Sequence, residues 1–183
     1  MSQHNEHINA LLDQCKDGKQ SAQLEVYNRY YKAMYNTASR IVKDSAEAED
    51  IMQESFLSAF TKLHTFKGEV AFGAWLKRIV VNNSIQQYRK QQKVDEVGLD
   101  SVLYKVEDND GISMDDGSTK LMARKVLKTM GQLKDNYRVS LTLHLIEGYD
   151  YDEVSQIMNI SNANCRTTIS RAKESLRKKL IPA

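Results

Sequence analysis

Apolar residues recur every three to four positions through most of the chain, and the period fails where turn residues gather. Leu24, Tyr27, Tyr31, Met34, Ala38, Ile41 and Val42 keep helical spacing. They predict a core helix over residues 21–42, with Ser21 as its N-cap. A second helix is predicted over residues 45–63, where Ala48, Met52, Phe56, Ala59, Phe60 and Leu63 form one apolar stripe. Its opposite side carries Glu47, Asp50, Glu54 and Thr61, with Gln53 and Leu57 among them. An acidic face is ordinarily just solvated, but a leucine at its centre also fits the middle of a docking patch. The pattern alone leaves both readings open.

The period breaks at Lys67-Gly68 and resumes as a third helix over residues 71–92. This one is apolar on two sides, with Phe72, Leu76, Ile79 and Val80 on one and Val81, Ile85 and Tyr88 on the other. That places it centrally. Asn82 and Asn83 are poor helix formers able to hydrogen-bond, and Lys77, Arg78, Arg89 and Lys90 occupy the polar surface. Rings interleaved with cations suit single-stranded nucleic acid, because bases stack on rings while cations follow phosphates. At least one of Phe66, Phe72 and Trp75 belongs to the core instead, and Trp75 is the expected one.

In the second half, Ala123, Val126, Leu127, Met130 and Leu133 predict one helix. Val139, Leu143 and Ile146, with Tyr137, Leu141 and Leu145, predict the next, and Gly148 closes it. Asp150 and Glu153 form a carboxylate capping box that starts a short helix with Val154, Ile157 and Met158 inward. After the turn Asn159-Ile160-Ser161, the Ser161 hydroxyl caps the last helix. Cys165, Ile169, Ala172, Leu176 and Leu180 make its buried stripe. Ala163, Thr167, Ser170 and Arg171 then face outward, flanked by Asn164 and Arg166. Small residues between arginines let a helix sink into a DNA major groove, where arginine can grip a guanine and Thr or Ser can contact other bases. Lys173, Arg177, Lys178 and Lys179 suit phosphates. The plainer alternative is a helical bundle with a basic tail.

Composition narrows the fold class. One proline and eight glycines in 183 residues leave little turn chemistry for a sheet, so an all-α chain of two small helical domains is expected. Cys15 and Cys165 stand alone, with no CxxC or His/Cys cluster to hold a metal, which fits a reducing cytoplasm. No apolar run approaches the roughly 20 residues of a membrane span, and no secretory pattern opens the chain. The net charge of +2 hides segregation. Residues 70–93 and 166–179 are basic, whereas residues 94–119 carry Asp95, Glu96, Asp100, Glu107, Asp108, Asp110, Asp115 and Asp116 against Lys105. The acidic stretch reads as a flexible tether between two basic domains, residues 1–93 and 120–183.

Taken together the two halves resemble the extracytoplasmic-function (ECF) sigma factors of the sigma-70 superfamily, over about residues 10–180. Asp50-x-x-Gln53-Glu54-x-Phe56, Phe66-x-Gly68-Glu69 and Trp75-Leu76-x-x-Ile79-x-x-Asn82 are similar, in that order, to region 2 of the family. The stretch from Tyr137 to Leu176 is similar to the less distinctive region 4. The resemblance implies a transcription initiation factor with no catalysis, cofactor or metal of its own. Asp50, Gln53, Glu54 and Leu57 would bind the coiled coil of the largest subunit of core RNA polymerase, and the second domain its flap. Phe66, Lys67, Gly68, Glu69 and Phe72 would capture a flipped minus-10 base beside Asn82, while Lys77, Arg78, Arg89 and Lys90 hold the opened strands. Ala163, Asn164, Arg166, Thr167, Ser170, Arg171 and Lys173 would meet the minus-35 element. The acidic linker would thread toward the RNA exit path. Promoter DNA, core polymerase and an anti-sigma factor would be the partners, in the cytoplasm and without membrane insertion.

Two departures stand out. Lys134 replaces the proline that usually precedes the Tyr-Arg pair of region 4, and Thr168 replaces a frequent arginine. A helix-turn-helix regulator with an N-terminal dimerisation or sensing domain would explain residues 120–183 but neither the patch around Leu57 nor the Phe-x-Gly-Glu loop. An enzyme acting on nucleic acid lacks paired carboxylates on a basic surface, and His4, His7, His64 and His144 lack partners for one.

Overall fold

The computed structural model describes residues 2–95 and 117–181, which hold eight α-helices and no strand. The predicted acidic linker lies outside the described residues over 96–116. The chain divides into two compact units, residues 1–87 and 88–183.

The first unit opens with a helix that the periodicity analysis did not anticipate, α1 (Ser2–Lys16). Ile8, Leu11, Leu12 and Cys15 are its buried stripe. It ends in a left-handed glycine, Gly18 (φ 78°), whose N–H donates to Cys15 O while Lys19 N–H donates to Gln14 O. Helix α2 (Gln20–Val42) begins one residue before the expected start, with Lys19 rather than Ser21 at the N-cap and no side-chain cap. Its core side is Ala22, Val26, Met34, Thr37, Ala38, Ile41 and Val42. Leu24 and Tyr31 are corrected from core to surface, at 60% and 43% exposure. Tyr27 lies between, stacked on Tyr31 at 5.8 Å and tilted against Phe56 at 4.8 Å.

Helix α3 (Ser45–Thr61) is capped by Asp44, whose carboxylate accepts the Glu47 N–H at 2.8 Å. It buries Ala48, Ile51, Met52, Ser55, Phe56 and Ala59 against the other helices, and Phe60 is half-buried. Leu63 belongs to a separate 3₁₀ turn, Leu63–Thr65, and is fully enclosed. Helix α4 (Phe72–Asp95) is central as expected, with Phe72, Leu76, Val80, Val81, Ile85 and Tyr88 all buried. Ser55 Oγ donates to Ile51 O and accepts from Asn83 Nδ2 at 3.0 Å, and Gln87 Nε2 donates to Glu47 Oε1. These bonds lock α3 to α4.

The second unit contains α5 (Gly117–Gly131), α6 (Asp135–Leu141), α7 (Tyr151–Met158) and α8 (Asn162–Leu180). The helix expected to run through Ile146 stops at Leu141 and continues as a π-helical turn, Thr142–Ile146, with Leu145 exposed. Thr142 Oγ1 is buried without a hydrogen-bond partner. Lys134 is the N-cap of α6 at φ −55°, a value within the range of proline, so the helix starts where a proline would set it. Met130, Leu133, Val139, Leu141, Leu143, Val154, Cys165, Ile169, Ala172 and Leu176 form the core.

Candidate nucleic-acid and polymerase interface

On α3, the inward stripe leaves Asp50, Gln53, Glu54 and Leu57 all on the exposed side. Leu57 is 67% exposed, although its neighbour Phe56 is 2% exposed. Gln53 Nε2 donates to Glu49 Oε1 at 3.3 Å, so this acidic surface also includes Glu49. Leu57 is thus an exposed apolar side chain on the same side of α3 as the exposed Glu49, Asp50 and Glu54.

The loop between the 3₁₀ turn and α4 lies over an aromatic cluster. Phe66, Phe72 and Trp75 pack on one another with ring centroids 5.3–5.7 Å apart, and Tyr30 meets Phe72 edge-on at 5.5 Å. Phe72 rather than Trp75 is the core member, at 3% exposure, while Phe66 and Trp75 are half-buried. Burial pushes the Tyr30 phenol up, and Arg29 works against that shift. Lys67, Gly68 and Glu69 are exposed above the cluster, with Gly68 at φ 75° turning the loop. A Cβ on Gly73 would approach Tyr30 Cε1 to 3.0 Å, so a larger residue at the start of α4 would require the Tyr30 ring to give way. Along α4, Asn82 is exposed but Asn83 is half-buried and bonded to Ser55. Arg78 is exposed and Lys77 half-buried. Arg89 and Lys90 are exposed and follow Gln87, so they belong to the second unit.

Helices α7 and α8 make the helix-turn-helix. Asp150 accepts the Glu153 N–H at 2.8 Å and Glu153 accepts the Asp150 N–H at 2.9 Å, which is the expected capping box. Asn159, left-handed at φ 54° and ψ 48°, closes α7. Ser161 Oγ accepts the Asn164 N–H at 3.2 Å and opens α8. With Cys165, Ile169, Ala172 and Leu176 buried, Ala163, Asn164, Arg166, Thr167, Ser170 and Arg171 are all exposed, and Lys173 is half-buried. Thr168 spends its hydroxyl locally, donating to Asn164 Oδ1 at 3.2 Å. Ser170 and Arg171 border a shallow groove of about 390 Å³ shared with Tyr137, Glu174, Ser175 and Lys178. Glu174 pairs with Lys178 at 3.3 Å and approaches Arg177 at 3.9 Å, which draws part of the C-terminal positive charge onto the protein itself.

Sequence reasoning missed the contribution of α7 to this face. The Arg166 guanidinium lies 5.0 Å from the centroid of the Tyr151 ring, and its Nε donates to Asn162 Oδ1 at 2.8 Å. No pattern in the sequence pairs Tyr151 with Arg166; only the crossing of the two helices does.

Nothing in these surfaces has the make-up of a metal centre: among the described residues no three His, Cys, Asp or Glu side chains come together. Burial pushes the Cys15 thiol up; at Cys165 burial acts first, Arg166 pulls down and Asp152 pushes up. No helix of the described residues is long and apolar enough to cross a membrane.

Comparison with known proteins points in one direction. Residues 26–94 match sigma-70 region 2 and residues 123–176 match sigma-70 region 4. The chain is 32% identical to the ECF RNA polymerase sigma factor SigM of Bacillus subtilis, over 84% of this chain and 91% of that one. It is 29% identical to SigW of the same organism, over 94% and 96%. Among solved structures, sigma factor RpoE bound to the anti-sigma factor NepR from Bartonella quintana superposes with a TM-score of 0.56 at 24% identity, covering 90% of this chain and 97% of that one. CnrH in complex with the cytosolic domain of CnrY gives 0.52 at 23% identity, covering 93% and 95%.

Proposed function

The chain belongs to the ECF family of RNA polymerase sigma factors, and from that premise we propose how its surfaces divide the work of promoter-specific initiation. The protein is a transcription initiation factor and not an enzyme. Residues 1–93 take core polymerase and the minus-10 element, and residues 120–183 take the minus-35 element and the flap. Asp50, Gln53, Glu54 and Leu57 seat the basic coiled coil of the largest subunit. The observation that carries this is the exposure of Asp50, Gln53, Glu54 and Leu57 together, on a helix whose other side is closed core.

Phe66, Lys67, Gly68 and Glu69 hold a minus-10 base out of the stack. Extrusion costs a few kcal/mol in lost stacking, roughly what one or two base–aromatic contacts return. The half-buried Phe66 and Trp75 are the rings such a base can reach, with Phe72 as the floor beneath them. Asn82 adjoins, and Lys77, Arg78, Arg89 and Lys90 follow the separated strands. On α8, Arg166 and Arg171 grip bases with Thr167 and Ser170 between them, Ala163 and Asn164 lie at the leading end, and Lys173 meets phosphate. The chain works in the cytoplasm, and an anti-sigma factor is a further partner, as the RpoE of Bartonella quintana is found in complex with the anti-sigma factor NepR.

Transcription of fragmented host DNA by core polymerase, with and without this chain, tests the reading. New start sites preceded by two shared sequence elements are expected; an unchanged set of starts would refute it.

A further inference from the structure

We propose that Tyr151 and Asn162 are positioning residues for Arg166, holding its guanidinium in the reading orientation before DNA arrives. The inference rests on the reading of α8 as the minus-35 helix with Arg166 as a base contact. Arg166 is exposed, and a long exposed side chain ordinarily samples many rotamers that must be frozen on binding. Here it has two fixed partners. The Tyr151 ring lies below the guanidinium at 5.0 Å, and Asn162 Oδ1 accepts from Nε at 2.8 Å. Because Nε is the bonded atom, the pair of Nη groups is the fork left to grip a guanine O6 and N7.

Each partner is itself held. Tyr151 packs against the His144 ring at 4.6 Å, and His144 Nδ1 is 2.9 Å from Tyr149 O. His144 belongs to the π-helical turn Thr142–Ile146, which precedes α7. Asn162 donates through Nδ2 to Asp152 Oδ1, which fixes the amide with its oxygen toward Arg166. Two chains of contact, one aromatic and one polar, thus run from α7 and the turn before it to one guanidinium. A merely structural role would not need Asn162 and Tyr151 to converge on the same exposed cation.

The test uses the full chain with core polymerase on a promoter library randomised across the minus-35 region, with bound sequences counted. Arg166→Ala marks the base pair that Arg166 reads. Tyr151→Leu removes the ring face and Asn162→Ala the acceptor; each is expected to flatten preference at that same base pair by about two- to five-fold, leaving the other positions unchanged. Tyr151→Phe keeps the ring and is expected to retain the native profile. Full preference in both Tyr151→Leu and Asn162→Ala would overturn the proposal. So would an equal loss at every base pair, which is what a loosened helix pair produces. If Arg166→Ala itself changes no base preference, the reading of Arg166 fails first and the positioning role falls with it.

Discussion

Replacing Leu57 by alanine separates polymerase binding from folding. The side chain is 67% exposed in the free chain, so its removal opens no cavity and should alter stability by less than about 0.5 kcal/mol. Fully burying a leucine is worth roughly 1.5–3 kcal/mol, and the two-thirds still available to a partner corresponds to about 1–2 kcal/mol. At about 1.4 kcal/mol per tenfold, Leu57→Ala should weaken binding to core polymerase by about five- to thirty-fold. The preceding residue is its control. Phe56 is 2% exposed and packs against Tyr27 and Phe60, so Phe56→Ala should cost roughly 3–5 kcal/mol of folding stability. Titration of fluorescently labelled chain with core polymerase gives the affinity, and thermal unfolding gives the stability. An unchanged Kd for Leu57→Ala, with its Tm intact, would refute the docking role of this face.

Other outcomes follow from both units. Arg171→Ala should cost about 1–3 kcal/mol at one minus-35 base pair, read by competition among single-base variants of the element; an equal loss across all variants would make Arg171 a phosphate contact. Ser161→Ala removes the hydroxyl that caps α8 and should lower stability by about 0.5–2 kcal/mol, with Ser161→Asp restoring it, as measured by chemical denaturation. Cys15 and Cys165 are 5% and 0% exposed with thiols pushed up by burial, so at mildly alkaline pH a thiol reagent should label them only as fast as the chain opens. Rapid labelling of the native chain would contradict the packing described.

The fold was legible wherever one apolar stripe faces one core. In α8 the spacing of Cys165, Ile169, Ala172 and Leu176 selected both the buried side and the exposed side, and Asp150, Glu153 and Ser161 marked the helix starts by their capping chemistry. Helix α1 was missed although Ile8, Leu11, Leu12 and Cys15 carry the same spacing, because the polar residues around them obscured it. Periodicity also names a side without saying how deep each member sits. Leu24 and Tyr31 share the apolar side of α2 yet end outside the contact with α3, and the small Ala22 and Val26 take the core positions instead. Trp75, the expected core ring, is only half-buried for the same reason: it lies on one side of α4 with Phe72, and it is Phe72 that meets Tyr30 edge-on and is enclosed. The Tyr151–Arg166 pair depends on the crossing of α7 and α8, which leaves no mark on spacing. The Leu57 face needed both: the sequence put carboxylates on the side of a leucine, and packing decided that no described residue of the first unit buries it.

Permanganate footprinting of one promoter mapped in this way tests the central claim most directly, because it reports unpaired thymines. With core polymerase and the chain together, thymines of the minus-10 element should become reactive, while either component alone leaves them protected. Binding of the chain alone to the same fragment, with no opening when core polymerase is added, would contradict the account and favour a helix-turn-helix regulator instead.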